Sequence, residues 1–207
     1  MPLVYQQNIN LNTKMGVWHI AEQENYFLNK VSLQSTIRHP HKRLQHLAGR
    51  YLLQELFPTF PIELIMIADT RKPFLDNEAF HFSISHCGDY AAAIVSTVDR
   101  VGTDIEIPQQ KIFSIRHKFL QTDEMLLLQR LPVKNENALT LAWSIKEAIF
   151  KWYGSGKVDF RGHIRILKIV FENNQYKATC NFTKETTLPL NVYGIFINDN
   201  CLTWVVT

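Results

Sequence analysis

Cysteine is scarce: Cys87, Cys180 and Cys201 are odd in number, widely spaced and without a CxxC pair. Neither a disulfide framework nor a thiolate zinc site is encoded, and a reducing, cytoplasmic compartment is expected. The chain has no apolar stretch near the ~18 residues of a membrane span. Residues 1–12 alternate apolar side chains with Gln and Asn and lack a basic segment followed by an apolar run, so no secretory signal is expected. Charge of one sign is also lacking. The 22 Lys+Arg against 19 Asp+Glu leave +3, too mild for a nucleic-acid binder. Low-complexity tracts, repeats and long linkers are missing, and the eight Gly and eight Pro are scattered as turn punctuation.

What is present is a compact chain of 207 residues with 46% hydrophobic content, enough for one large domain or two halves of roughly 100 residues. Hydrophobic periodicity predicts strands at 16–21, 62–68, 81–85 and 90–96 and a helix at 42–56. After Asp99-Arg100 a second round begins. It comprises a strand at 101–107, a helix at 122–130 with Thr122 as N-cap, and a long helix at 135–153 stopped by Gly154 and Gly156. Strands at 164–171, 176–182 and 190–197 follow, with a fourth at 202–206. This mix in both halves argues for α/β or α+β, with a seam near 98–101 separating residues 1–99 from 100–207.

Four segments carry candidate chemistry. In Val101-Gly102-Thr103-Asp104-Ile105-Glu106-Ile107, strand alternation sends Asp104 and Glu106 to one face and Val101, Thr103, Ile105 and Ile107 to the other. Paired carboxylates are the beginning of a magnesium site, although acids alternating on a strand also describe a solvated face. The helix at 135–153 is apolar around nearly its whole circumference, yet it carries Lys146, Glu147 and Lys151 on one stripe with Trp143 and Phe150. Charges on a buried helix need a partner, a metal or a ligand. Glu147 and Lys151 can pair with each other, or Glu147 can be a third oxygen ligand with Lys146 or Lys151 facing phosphates.

The strand end Ser83-Ile84-Ser85-His86-Cys87-Gly88 offers a hydroxyl and an imidazole at a small turn, with Arg71-Lys72-Pro73 just upstream. Between Arg38 and Arg50, four Lys/Arg and three His occur with no acid, and Arg43, His46 and Arg50 line one edge of the predicted helix. Each of these features also occurs in ordinary turns and solvated helices.

Taken in order, Arg43…Gly49-Arg50, Lys72-Pro73, Ser85-His86, Gly102-Thr103-Asp104-Ile105-Glu106 and Trp143-Ser144-Ile145-Lys146-Glu147-Ala148-Ile149-Phe150-Lys151 resemble the 4′-phosphopantetheinyl transferase superfamily. The length and the N-terminal half resemble its single-chain, surfactin-synthetase-activating type. The resemblance spans residues 38–160. It implies an α/β fold of two similar halves related by a pseudo-twofold, a cleft between them as active site, and a monomer. It also implies Mg2+ held by Asp104, Glu106 and Glu147, with Glu147 and Lys151 catalytic. Coenzyme A, the co-substrate, would be contacted by Arg43, Lys72, Ser85, His86, Lys146 and Lys151. The acceptor would be a serine of an acyl carrier protein or peptidyl carrier domain, with 3′,5′-ADP leaving. The chain departs from the common pattern at Ser83, Cys87 and Lys157. A metal-dependent phosphodiesterase or nuclease, and a non-catalytic module binding coenzyme A or a carrier, are the competing readings.

Overall fold

The computed structural model describes residues 2–33 and 37–207, which form two compact units, Met1–Val101 and Gly102–Thr207. In the first, β1 (Leu3–Asn8), β2 (Thr13–His19), α1 (Glu24–Leu28) and α2 (Pro40–Leu56) are followed by short strands β3 (Met66–Ile67) and β4 (Pro73–Phe74), then β5 (His81–Cys87) and β6 (Tyr90–Ser96). The main sheet has the order β1-β2-β6-β5 and is antiparallel throughout. Pro40 opens α2, where its missing N–H costs nothing, and Leu47, Ala48, Leu52 and Leu53 form its buried side. Gly49 lets the helix approach β5: a Cβ there would lie 2.6 Å from Ile84 Cγ2. Trp18, Phe27, Phe60 and Phe82 fill the core between helices and sheet.

The strand expected at 62–68 is instead a 3-10 turn, Ile62–Leu64, running into the two-residue β3. Ile62 and Ile65 are the buried pair, three residues apart, and that spacing suits a turn rather than a period-two strand.

In the second unit β7 (Val101–Glu106) leads into α3 (Ile112–Phe119), α4 (Thr122–Leu128) and α5 (Asn135–Tyr153), and then β8 (Ile164–Glu172), β9 (Gln175–Phe182), β10 (Leu188–Ile197) and β11 (Asn200–Val206). The sheet order is β7-β11-β10-β9-β8, so the first and last strands of the unit are neighbours. Helix α5 lies across this sheet with Leu141, Ala142, Ile145, Ala148 and Ile149 in the core. Gly154 ends it in the left-handed region at φ 76°. Gln121, not Thr122, caps α4, and its backbone N–H donates to the Glu124 carboxylate at 2.7 Å. The expected mixed α/β class is what the chain adopts. Among the described residues no helix is long and apolar enough to cross a membrane.

Candidate active site

The period of β7 puts Gly102, Asp104 and Glu106 on one face, and that face meets α5. Contact is so close that a Cβ at position 102 would stand 2.2 Å from the Ala148 carbonyl oxygen and 2.7 Å from the Trp152 nitrogen. With the helix pressed onto the strand at Gly102, side chains farther along β7 meet the helix side chains. Lys151 Nζ donates to Asp104 Oδ1 at 2.6 Å, and Trp143 Nε1 donates to Glu106 Oε1 at 3.3 Å. On the far side, Thr103 donates to the Thr203 carbonyl on β11, and Thr203 Oγ1 donates to the Ser144 carbonyl on α5. Strand, helix and neighbouring strand are thereby fixed as one block.

Asp104 is only 2% exposed, which removes the solvated-face reading of the strand. Glu147, on α5, has Asp104, Lys151 and Glu106 as its charged neighbours. Burial and then the Asp104 carboxylate, with a smaller push from Glu106, outweigh Lys151 and raise Glu147 from its ordinary 4.5 up to about 7. Asp104, Glu106 and Lys151 all act on Glu147, and Lys151 pairs with Asp104. Neighbouring carboxylates of this kind are chemically suited to a hard divalent cation. The convergence is not preformed, however: among the described residues no three His, Cys, Asp or Glu side chains are arranged to hold a metal ion. Lys151 stands in as the counter-charge.

A cavity of about 700 Å3 opens beside Glu147. Its wall is a run of touching rings: Phe119–Trp143 at 5.1 Å, Trp143–Phe160 at 5.4 Å and Phe150–Phe160 at 5.5 Å between centroids. Trp143 and Phe150 were visible in the sequence as a stripe on α5. Phe119 and Phe160 were not, because they arrive from α3 and from the loop after α5.

Lys146 corrects an expectation. It does not face phosphates: the side chain is fully buried, and its Nζ donates to the carbonyls of Phe119 (2.6 Å), Ile164 (2.7 Å) and Phe160 (3.0 Å) and pairs with Glu124 at 2.8 Å. Burial lowers the ammonium's pKa, while the Glu124 carboxylate works the other way. Glu124 had no signal in the sequence beyond its place in the first turn of α4.

In the first unit, Ser85 is buried near the end of β5 and His86 is exposed. The hairpin tip after them is docked on α2, where Gln45 Nε2 donates to the Gly88 carbonyl at 2.8 Å and His41 bonds Asp89 at 2.9 Å. Lys72 is half-buried beside Arg100, and desolvation followed by that like charge pulls it down to about 8. Arg43 is committed differently from the expectation, with its guanidinium paired to Glu24 at 2.6 Å. Two turns farther, Arg50 is 5% exposed, bonds His46 Nδ1 at 3.0 Å and leaves its Nε without a partner among the described residues. His46 is drawn down to about 4 by burial, Arg50 and His86. His46 lies close to both Arg50 and His86, and Arg43 Nε, His46 Nε2 and Arg50 Nε are buried without a hydrogen-bond partner among the described residues.

Residues 100–197 match the model of the 4′-phosphopantetheinyl transferase superfamily, a segment that includes Asp104, Glu106, Glu147 and Lys151. This supports the resemblance read from the motifs. Enterobactin synthase component D of Salmonella austin is 34% identical over 122 residues, 58% of this chain and 51% of that protein. The same component of Escherichia coli K12 is 35% identical over 125 residues, 53% of this chain and 54% of that one. The 4′-phosphopantetheinyl transferase psf-1 of Bacillus pumilus is 32% identical over 111 residues, 52% of this chain and 47% of that protein. The chain spans about half the length of the curated relatives it matches.

Proposed function

We propose that this chain is a phosphopantetheinyl transferase of the single-chain, surfactin-synthetase-activating type, moving 4′-phosphopantetheine from coenzyme A to a serine of an apo acyl or peptidyl carrier protein. The observation that carries the reading is the facing of Asp104 and Glu106 on β7 against Glu147 and Lys151 on α5, inside the segment that matches the superfamily. Asp104, Glu106 and Glu147 would hold Mg2+, which when bound neutralises phosphate charge.

The serine oxygen forms the new bond to the β-phosphorus, and the bond from that phosphorus to the bridging oxygen breaks, releasing 3′,5′-ADP. Glu147, beside Asp104 and Lys151, is also assigned to accept the serine proton. Lys151, held at Asp104 by its 2.6 Å bond, meets negative charge growing on the phosphate oxygens. The aromatic cavity beside Glu147 suits the uncharged pantetheine arm. Lys72, Ser85 and His86, with Arg43 and its neighbours His46 and Arg50, are assigned to the phosphates of coenzyme A.

The test is the intact mass of a panel of apo carrier proteins after incubation with the chain, coenzyme A and Mg2+, with an EDTA control. Addition of one phosphopantetheinyl group to a carrier serine, only with metal, is expected. Hydrolysis of coenzyme A with no carrier modified would replace the proposal by a phosphodiesterase, and binding without turnover by a non-catalytic module.

A further inference from the structure

A lysine with no exposed surface is an expensive element, since an ammonium taken from water must be repaid by close partners of good geometry. Lys146 has them, but their addresses matter more than their number. Phe119 is the last residue of α3, Phe160 lies in the loop after α5, and Ile164 begins β8. Glu124 completes the arrangement from the first turn of α4: Oε1 accepts from Lys146 and from the Ile166 backbone N–H at 2.9 Å, and Oε2 accepts from the Gln121 N–H at 2.7 Å. Five separate stretches of chain are tied at one buried ion pair.

Two of the three carbonyls belong to residues whose rings build the cavity wall. Phe119 and Phe160 flank Trp143 at 5.1 and 5.4 Å, and both line the cavity with Glu147, the residue after Lys146. Holding a carbonyl fixes its own peptide plane and with it the position of the Cα from which the ring departs. No helix ladder does this for Phe160, which lies between α5 and β8. The ordinary stabilising role of an ion pair is a poor account, because an apolar pair of similar volume often serves stability as well or better.

We infer that Lys146, clamped by Glu124, is the positioning residue that sets the aromatic wall of the cavity beside Glu147, and so sets how the apolar part of a donor substrate is held there. The second half of this statement rests on the transfer reading above; the first half does not.

The experiment uses the full chain labelled with 5-fluorotryptophan, whose four Trp resonances include Trp143, assigned by W143F. Lys146→Met, Glu124→Gln and Glu124→Asp are compared with wild type by 19F NMR, and coenzyme A and 3′,5′-ADP are titrated into each. In Lys146→Met and Glu124→Gln the Trp143 resonance is expected to shift or broaden while Trp18 and Trp204 stay in place. Glu124→Asp, which keeps the charge, should return Trp143 part-way. Affinity for coenzyme A should fall about tenfold or more, the scale on which lost supporting contacts loosen a site, while that for 3′,5′-ADP, which lacks the arm, holds within about twofold. An unmoved Trp143 resonance in a folded variant, or one that moves only together with Trp18 and Trp204, overturns the proposal. So does an equal loss of affinity for both ligands. If Lys146→Met does not fold, the two Glu124 variants decide by the same criteria. Wild-type protein that binds neither ligand would instead count against the transfer reading and leave the Trp143 comparison to judge the clamp.

Discussion

Lys151 reaches from the last turn of α5 to Asp104 in the middle of β7, with Nζ 2.6 Å from Oδ1 and the carboxylate almost fully buried. On the proposed assignment of Asp104 as a Mg2+ ligand, the ammonium and the metal would compete for this carboxylate. Removing the ammonium should therefore separate binding from turnover. Lys151→Met is expected to bind Mg2+ more tightly by calorimetry, yet to lose about a hundredfold or more in transfer rate, as removal of a group that stabilises developing charge does. Tighter Mg2+ with undiminished rate would deny Lys151 a part in the chemistry.

Glu147 gives a pH dependence whose sign is set by its upward shift. With its ordinary value at 4.5 and a folded value near 7, the native state holds more protons than the unfolded chain between those limits. Stability from this group is therefore full below about 4.5 and is lost as pH rises through 7. In EDTA, Glu147→Gln should melt higher than wild type at pH 8, with the gap closing toward pH 5. The same variant should be inactive at saturating Mg2+; wild-type turnover would refute both the ligand and the base role. Mg2+ affinity of the wild type should rise with pH through about 7, as the carboxyl loses the proton that competes with metal.

Asp99 moves the other way. Hydrogen bonds from Asn10 and Thr13, the latter at 2.8 Å, hold its carboxyl below the ordinary 3.8. Stability from it is present above that ordinary value and is lost as pH falls through the folded one. Asp99→Asn should lower the melting temperature at pH 7 and have no effect once both forms are neutral in strong acid. The group is partly exposed, so the effect is small and best read as a difference between paired melts.

Gly102→Ala tests the approach that creates the site. A methyl 2.2 Å from the Ala148 carbonyl must push β7 and α5 apart. Chemical denaturation should show a loss of about 3 kcal/mol or more, at the upper end for overpacking, because the obstruction is backbone and cannot rotate away. Activity should fall further than the folded fraction does, since Asp104 and Glu106 retreat from Glu147. A variant as stable as wild type would mean that the strand and helix sit farther apart than described.

The most legible part of the sequence was local. Alternation in residues 101–107 placed Asp104 and Glu106 on one face, and the all-round apolar pattern with Gly154 gave α5 both its burial and its observed limits, Asn135–Tyr153. Less was legible where elements are short. Helix α3 carries only Ile112 and Phe119 as buried residues, too few for a period, and β1 alternates weakly at the surface. At 62–68, composition suggested a strand, but the spacing of Ile62 and Ile65 produced a turn.

By itself the sequence determined which residue types stand at which offset along one strand and one helix, because periods of 2 and 3.6 are properties of the backbone and need no partner. What the tertiary structure decided was where each charge ends. Lys146 and Glu147 are adjacent in the chain, yet 100° of helix rotation sends one to Glu124 and three carbonyls and leaves the other beside the aromatic cavity. Arg43 was diverted to Glu24, and Phe119 and Phe160 were brought to Trp143 from two other elements. A buried charge takes the nearest compensating dipole or ion, and that neighbour is supplied by packing between elements distant in sequence.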